Sequence, residues 1–436
     1  MIPETPHLRV LVIAYYFPPM GGSGVQRITK FVKYLTQFGW EPEVLTVEPQ
    51  GYYAYDESLM EEIPDVPIHR VASKDLNRLF KKGTTITMPG ASVQRKWSWL
   101  SGWAMIPDSK IGWKADAVEA GKKILDNKRF DMIFSTAPPF TVHLVAMELS
   151  QYSGVPFIAD FREPWLDNSR LKMPTQRHKR KHLELETEVV KHASRLVTIN
   201  RGIKEGLIQR HTGAGGYNTI QIIPHGFDPE DFPVHGTYMD GIMRFVYSGM
   251  FYDVQKPDTF LHAFQDFINR RPDAAHHVLA EFVGLTPEGG PELVQKLKLE
   301  DHVVFEGYIP HRLAVQKIWL ADVLWMTLGD QPHVEKMSTS KLYEYFGTQK
   351  PILGLVPEGE EAHQIRAYGA GVVVEPNDIR ATSRAIEQYY DLWRKRALPR
   401  PDVGFVERFD RRLLTRELAK VMSGVLMQMN EYYTTL

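Results

Sequence analysis

The sequence predicts an α/β protein of two similar halves, each a parallel sheet with helices on both faces. Short apolar, β-branched runs alternate with segments of helical period, the pattern of strands joined by helical crossovers. The rhythm stops at a turn-rich stretch, Pro224 to Gly241, and then restarts. The chain has 436 residues, which at about 150 residues per domain is roughly three units or two large ones.

In the first half the strands are expected at Leu8 to Tyr15, Glu43 to Val47, Met132 to Ser135, Phe157 to Asp160, Arg195 to Asn200 and Ile220 to Ile223. The first helix is expected over Val25 to Phe38. Val25, Ile28, Val32 and Leu35 recur at helical spacing there, Gln26, Arg27, Lys30 and Lys33 occupy other faces, and Gly39 supplies the stop. Pro224-His-Gly-Phe-Asp-Pro-Glu-Asp-Phe-Pro233 is dense in turn formers and reads as a linker, with the boundary near residue 235. The second half repeats the pattern at Phe245 to Ser248, Glu281 to Gly284, Val303 to Glu306, Val323 to Thr327, Ile352 to Leu355 and Gly371 to Val374. Phe409 to Met429 closes the chain as a helix-period stretch carrying Leu413, Leu414, Leu418, Val421 and Leu426, and it needs a surface to pack on.

Composition removes several classes of function. Lys and Arg total 52 against 53 Asp and Glu, so no polyanion-binding balance is present and nucleic acid is disfavoured as the main partner. Cysteine is absent, which excludes disulfides, thiolate metal sites and a cysteine nucleophile. Hydrophobic residues make up 43% and charged residues 24%, the composition of a globular protein. Met1 to His7 carries Pro3, Glu4 and Pro6 where a secretion signal needs a basic start and an apolar run. The uncharged stretch Met132 to Met147 is broken by Pro138 and Pro139 and falls short of the roughly 20 apolar residues of a membrane span. A cytoplasmic location follows as the expectation.

Two segments depart from the α/β rhythm. Lys74 to Pro107 combines Lys81-Lys82 and Arg95-Lys96 with Trp97, Trp99 and Trp103, which suits either a lipid headgroup layer or a lid with a solvated basic edge. Arg177-His-Lys-Arg-Lys-His182 precedes the helical Glu184 to His192. It reads as a solvated helix face or as a contact for anionic lipid or acceptor phosphate.

The groups suited to chemistry lie where strands end. Tyr15-Tyr-Phe-Pro-Pro-Met-Gly21-Gly22-Ser23-Gly24 leads directly into the first helix, and a glycine-rich turn at a helix N-terminus leaves amides open to a phosphate. Arg27 stands where a dinucleotide fingerprint needs its third glycine, so NAD is not expected. In the second half Tyr247-Ser-Gly249 leaves a strand and is followed by Lys256, placed to bring positive charge to a ligand beyond the sheet edge. Ser338-Thr339-Ser340 suits a helix cap, and Lys341 and Glu344 share one face of the helix that follows. They form either a ligand-binding pair, with Glu344 accepting from a ribose, or a surface ion pair.

Taken in order, Tyr16-Phe-Pro-Pro with Gly21-Gly22 and Arg27, Ala159-Asp-Phe-Arg-Glu-Pro-Trp165, Pro224-His-Gly-Phe-Asp228, Gly249 through Lys256, and Lys341-Leu-Tyr-Glu-Tyr-Phe-Gly347 with Lys350-Pro-Ile-Leu353 resemble the retaining glycosyltransferases of family 4. The resemblance covers nearly the whole chain. It implies the GT-B fold, two Rossmann-like doubly wound domains facing each other across a cleft. It divides the chain into an acceptor domain (1–235), a donor domain (236–405) and a C-terminal helix (406–436) that crosses back onto the first domain.

The partners the resemblance implies are a nucleotide-sugar donor and a glycan or lipid-linked acceptor, with no further cofactor. The setting is polysaccharide or lipopolysaccharide assembly, with peripheral contact at the inner leaflet. The donor would be held by Gly21, Gly22, Gly249, Tyr308, Ile309, Ser338, Thr339, Ser340, Lys341 and Glu344, with Lys256 on the diphosphate, the base near Gly307 to Ile309 and the ribose on Glu344. Arg162 and Trp165 would line the acceptor site. Asp160 would orient the acceptor hydroxyl or the sugar, the alternative being a buried pairing with Arg162.

Met250 and Phe251 stand where the family often has an arginine, and Lys336 where it often has the first of two glutamates. That leaves Glu335, one residue early, as the candidate beside the sugar. No His-Glu-x-x-His or Asp-x-Asp sequence is present, in keeping with a metal-independent reaction that rests on amides and lysine aimed at the leaving diphosphate. The competing readings are a nucleotide-sugar epimerase or phosphorylase on the same architecture and a non-catalytic nucleotide-sugar-binding scaffold.

Overall fold

A computed structural model describes residues 8–49, 54–74, 102–168, 171–211, 219–233, 240–251, 255–329 and 332–434. Trp97, Trp99 and the basic pairs at Lys81 and Arg95 lie outside them. The described chain forms two units, 1–224 with 411–436, and 225–410.

The first unit is built on a seven-stranded sheet in the order β3-β2-β1-β4-β5-β6-β7. Its strands are β1 (Leu8–Ile13), β2 (Trp40–Val47), β3 (Ile68–Val71), β4 (Met132–Ala137), β5 (Phe157–Phe161), β6 (Arg195–Thr198) and β7 (Ile220–Ile222), paired in parallel throughout. Alternate residues of β1 serve opposite cores. Leu11 and Ile13 face one, Val10 and Val12 the other, as the two-residue strand period requires of a sheet covered on both sides. Its helices of more than one turn that flank the sheet are α1 (Ser23–Leu35), α2 (Lys114–Asn127), α3 (Thr141–Ser153), α4 (Gln176–His192) and α5 (Arg201–Arg210). The edge strand β3 went unread in the sequence because Ile-His-Arg-Val is half exposed and lacks an apolar run.

The second unit carries a six-stranded parallel sheet in the order β10-β9-β8-β11-β12-β13. These strands are β8 (Met243–Ser248), β9 (Val278–Val283), β10 (Val303–Gly307), β11 (Val323–Thr327), β12 (Ile352–Leu355) and β13 (Gly371–Val374). Its helices are α6 (Asp258–Arg270), α7 (Gly290–Leu297), α8 (His311–Leu320), α9 (Ser340–Thr348), α10 (Glu360–Ala367), α11 (Ile379–Arg394) and α12 (Val403–Glu407).

The chain leaves the first unit after Pro224 rather than near residue 235. The Phe227 amide donates to the Phe409 carbonyl at 3.0 Å, and Phe227 is buried with Phe405 and Phe409 in the second core, so apolar burial claims the turn-rich segment for that unit. The last helix, α13 (Arg411–Thr434), returns to the first unit. Its Leu414, Leu418, Met422 and Val425 share a core with Ile28, Phe31 and Leu35 of α1.

Candidate functional site

Each sheet reverses its strand order once, between β1 and β4 in the first unit and between β8 and β11 in the second. Open α/β sheets bind ligands beyond the C-terminal strand ends at such points. Both glycine- and serine-rich turns singled out in the sequence lead away from these strands.

In the second unit β8 ends at Ser248, whose amide donates to the Tyr345 hydroxyl at 2.8 Å, while that hydroxyl donates to the Trp325 carbonyl at 3.2 Å. Buried Tyr345 thus locks α9 onto the ends of β8 and β11. The following turn brings Gly249 against Gly284. A Cβ on Gly284, at φ +132°, would stand 2.1 Å from the Gly249 carbonyl oxygen. Gly284→Ala is therefore expected to cost about 2–4 kcal/mol through clash and backbone strain. The urea midpoint reads it, and an unchanged midpoint would refute the close approach.

Lys341 reaches this turn from α9. Its Nζ lies 3.6 Å from the centroid of the Tyr247 ring, and its Cε would be 2.9 Å from a Cβ on Gly249. Phe251 stacks on Tyr247 at 4.1 Å and 8°, which places it on the face opposite the ammonium. Burial pulls Lys341 down to about 7, with Glu361 and Glu344 pulling the other way. Lys341 and Glu344 do not form the surface pair that their spacing allows. Glu344 Oε1 instead meets His311 Nε2 at 3.0 Å, from the first turn of α8.

The N-terminus of α9 is open. Thr339 is its N-cap but makes no side-chain cap bond, and its buried Oγ1 has no partner among the described residues. The Thr339 amide donates to Glu361, a buried acid in α10, which burial pushes up to about 8. The Ser340 and Lys341 amides have no acceptor among the described residues, which leaves them unbonded at the positive end of the helix. Ser338 Oγ lies 3.0 Å from the Tyr343 hydroxyl.

Tyr308 and Ile309 follow β10 directly and precede His311, with Tyr308 exposed. Lys256 is exposed and has no ion pair among the described residues. Glu335 is half exposed, its carboxylate 3.9 Å from His333 Nδ1, beside an open depression of about 740 Å³ that Glu358 and Glu375 also line.

In the first unit the Gly21 amide is taken by the Ala54 carbonyl at 2.7 Å and is not available to a phosphate. The amides of Gly22 and Gly24, at the N-terminus of α1, have no acceptor among the described residues. Asp160 has no exposed surface. Its Oδ1 and Oδ2 accept from Arg27 Nη2 and Nε, each at 3.1 Å, and Oδ2 also accepts from Thr136 at 2.8 Å. The sequence expectation that Asp160 meets the acceptor, or else pairs with Arg162, thus gives way to a third arrangement, an internal pair with Arg27. Arg27 also donates to the carbonyls of Ile223 and Pro224 at 2.9 and 2.7 Å, so the helix face it occupies is not solvated.

Arg162 and Trp165 are likewise internal. Arg162 donates to the carbonyls of Gly24, Ala137 and Pro138 at 2.8, 3.1 and 2.9 Å, bracing the glycine turn against the end of β4. Trp165 stacks on Phe140 at 4.6 Å and donates to His182 Nδ1 at 3.1 Å. Both side chains are buried. His143 is buried with its Nδ1 2.8 Å from Ser135 Oγ, and burial pushes its pKa down to about 3.

His311, Glu361 and the ring of Tyr247 are parts of the second site that sequence reasoning missed. Tyr247 was visible as the residue before the Ser-Gly turn. Nothing local marks His311 or Glu361, which join the site through tertiary contact alone.

Two parallel doubly wound sheets with a returning C-terminal helix define the fold as GT-B. No protein-family model and no curated protein sequence matches the chain. Solved structures of the same fold include a glycosyltransferase from Rickettsia africae, with a TM-score of 0.64 at 12% identity over 96% of this chain and 98% of that one. WaaG, a glycosyltransferase involved in lipopolysaccharide biosynthesis, aligns with a TM-score of 0.59 at 14% identity over 95% of this chain and 100% of its own. A candidate UDP-N-acetylglucosamine 2-epimerase from Listeria monocytogenes aligns at 0.57 and 11% identity, covering 97% of both chains.

Proposed function

We propose that the chain is a family 4 glycosyltransferase that moves a sugar from a nucleotide-sugar donor to a glycan or lipid-linked acceptor with retention and without a metal ion. One observation carries this reading. Two amides without an acceptor among the described residues, a lysine held above an aromatic ring and a glutamate lie together beyond the strand-order reversal of the second sheet.

The Ser340 and Lys341 amides and the Lys341 ammonium would meet the donor diphosphate, with the exposed Lys256 reaching it from the opposite loop. Glu344, held by His311, would accept from the ribose hydroxyls. Tyr308 and Ile309 would flank the base. In the transfer step the bond between the anomeric carbon and the diphosphate oxygen breaks and its electron pair passes to that oxygen. The acceptor hydroxyl oxygen forms the new bond on the same face of the sugar, and its proton passes to the departing diphosphate. Fixed N–H groups and lysine that strengthen their contacts as this charge develops lower the barrier.

Of the first-unit residues, Gly22 and Gly24 are proposed to offer amides to an anion. Asp160, Arg162 and Trp165 are proposed to position that turn rather than to touch substrate. Glu335, exposed at the rim of its depression, is proposed to meet the sugar.

A thermal-shift screen of UDP-, GDP- and ADP-sugars tests the donor reading. One nucleotide class is expected to raise the melting temperature, since a ligand at about 100 times its Kd stabilises by about 2.7 kcal/mol. Flat responses to all three would remove the reading. The Listeria neighbour makes epimerisation the second reading. Conversion of the donor to its epimer in the absence of any acceptor would favour it.

A further inference from the structure

Glu361 belongs to α10, yet its carboxyl serves the N-terminus of α9. In a capping box a Glu or Gln three residues into the helix reaches back to the N-cap amide. That position in α9 is Leu342, which has no polar group to offer. Glu361 Oε1 makes the same bond from the neighbouring helix, accepting from the Thr339 amide. The start of α10 is itself pinned, since a Cβ on Gly359, at φ +153°, would stand 2.5 Å from Glu335 Cα. Tyr345 ties α9 to the sheet, and Glu361 ties down its first turn.

The carboxyl is enclosed. Glu361 is 2% exposed, and its Oε2 is buried with no hydrogen-bond partner among the described residues. A carboxylate taken out of water needs donors or an ion pair to offset its lost hydration. Lys341 attracts it through space, but the Lys341 ammonium lies over the Tyr247 ring, and the two make no ion pair among the described residues. The Thr339 amide and Lys341 favour the charged form, yet burial outweighs them and pushes the carboxyl up to about 8. Glu360, beside it on α10, adds repulsion. Around α10, the turn Val334–Lys336 carries Glu335 and Lys336, α9 carries Lys341 and Glu344, and β12 and β13 carry no ionisable side chain. Arg366, farther along α10, is taken by Glu358 at 2.9 Å.

We propose that Glu361 is a positioning residue that caps α9 from α10 as a neutral carboxylic acid, holding the Ser340 and Lys341 amides for the donor diphosphate without setting a second anion beside it. The role rests on the donor reading of this site. The proton sits on Oε2, because Oε1 is engaged as an acceptor. A carboxylate would itself occupy the positive end of the helix and repel the diphosphate.

The full chain is titrated calorimetrically with UDP, GDP and ADP at about pH 7 and about pH 9, and its urea midpoint is followed over the range from about pH 5 to about pH 9. Glu361→Gln keeps an acceptor for the Thr339 amide and carries no charge. It is expected to bind whichever diphosphate the wild type binds within about twofold of wild type at about pH 7, whereas Glu361→Ala is expected to lose about tenfold with the cap. Above about pH 8 the wild-type carboxyl ionises, so the Gln variant is expected to bind tighter than wild type, by up to about tenfold per pH unit. Lys341 is present in both proteins, so their ratio isolates Glu361. Without ligand, folded wild type keeps a proton that the unfolded chain sheds between the ordinary value of 4.5 and about 8. Its stability relative to Glu361→Gln is therefore expected to fall as pH rises through that window. A Gln variant that folds but binds as weakly as Ala, or a stability difference that does not change with pH, would overturn the neutral cap. Failure of the wild type to bind any of the three diphosphates would overturn the donor reading and the positioning role with it, and the ligand-free pH dependence would remain as the mark of an enclosed neutral acid.

Discussion

Asp160→Ala is expected to destabilise the fold by about 3–5 kcal/mol, the cost of leaving one member of a buried ion pair uncompensated. The Arg27 guanidinium is fully buried and shares both oxygens of the Asp160 carboxylate. Without Asp160 it keeps only the carbonyls of Ile223 and Pro224, and Thr136 loses its acceptor. Since domains are stable by about 5–15 kcal/mol in total, the loss is large enough to read directly as a shifted urea midpoint. The double variant Arg27→Ala, Asp160→Ala is expected to cost less than the sum of the singles, because removing both charges leaves no orphan. A substrate-touching role for Asp160 makes the opposite forecast, in which Asp160→Asn unfolds at the wild-type midpoint and loses transfer.

Lys341→Ala is expected to weaken donor binding about 10–100-fold, the value of a charge-assisted hydrogen bond of about 1.5–3 kcal/mol. Glu344→Ala is expected to lose less, because a neutral ribose hydroxyl is its proposed partner. Lys256→Ala should also lose less, because an exposed cation is screened. The distinctive signature of Lys341 is its pH dependence. Burial holds it near 7, so from about pH 7 to about 10.5 the unfolded chain carries a proton that the folded one sheds. With more protons on the unfolded state, the Lys341 contribution to stability rises with pH across that window. Donor affinity moves the other way, since the anion must draw the proton back, and it is expected to fall as pH rises above about 7. Calorimetric titration of the donor at several pH values checks this, and Lys341→Ala is expected to flatten the profile. A flat wild-type profile would count against Lys341 as the phosphate cation.

Much of the architecture was legible because it is local. The expected strands Val323 to Thr327 and Ile352 to Leu355 coincide with β11 and β12, since central parallel strands must be apolar on both faces, and Gly371 to Val374 coincides with the edge strand β13. The domain crossover was less legible. Turn formers mark where a chain bends, but the burial of Phe227 against Phe409 decides which core the bend belongs to.

Among the candidate site residues, Ser338 to Lys341 and Glu344 are proposed from helix capping and i,i+3 spacing. Their partners are not, because Tyr247, His311 and Glu361 come from three other elements. Asp160, Arg162 and Trp165 show the converse. Polar residues at a strand's C-terminal end suit a binding site, yet these three are enclosed by Arg27, by three backbone carbonyls and by Phe140 with His182.

The sequence by itself determined the repeated α/β rhythm, the turns that end β1 and β8 and the cationic stretch at the start of α4, because these depend on neighbours a few residues apart. Only the tertiary structure decided which charges are internal. A buried ion must find a partner, and for Asp160 that partner is Arg27, 133 residues away, a pairing set by how α1 packs over the sheet and invisible to local periodicity. Tertiary contacts within each unit likewise set Lys341 above Tyr247 and Trp103 beside His178.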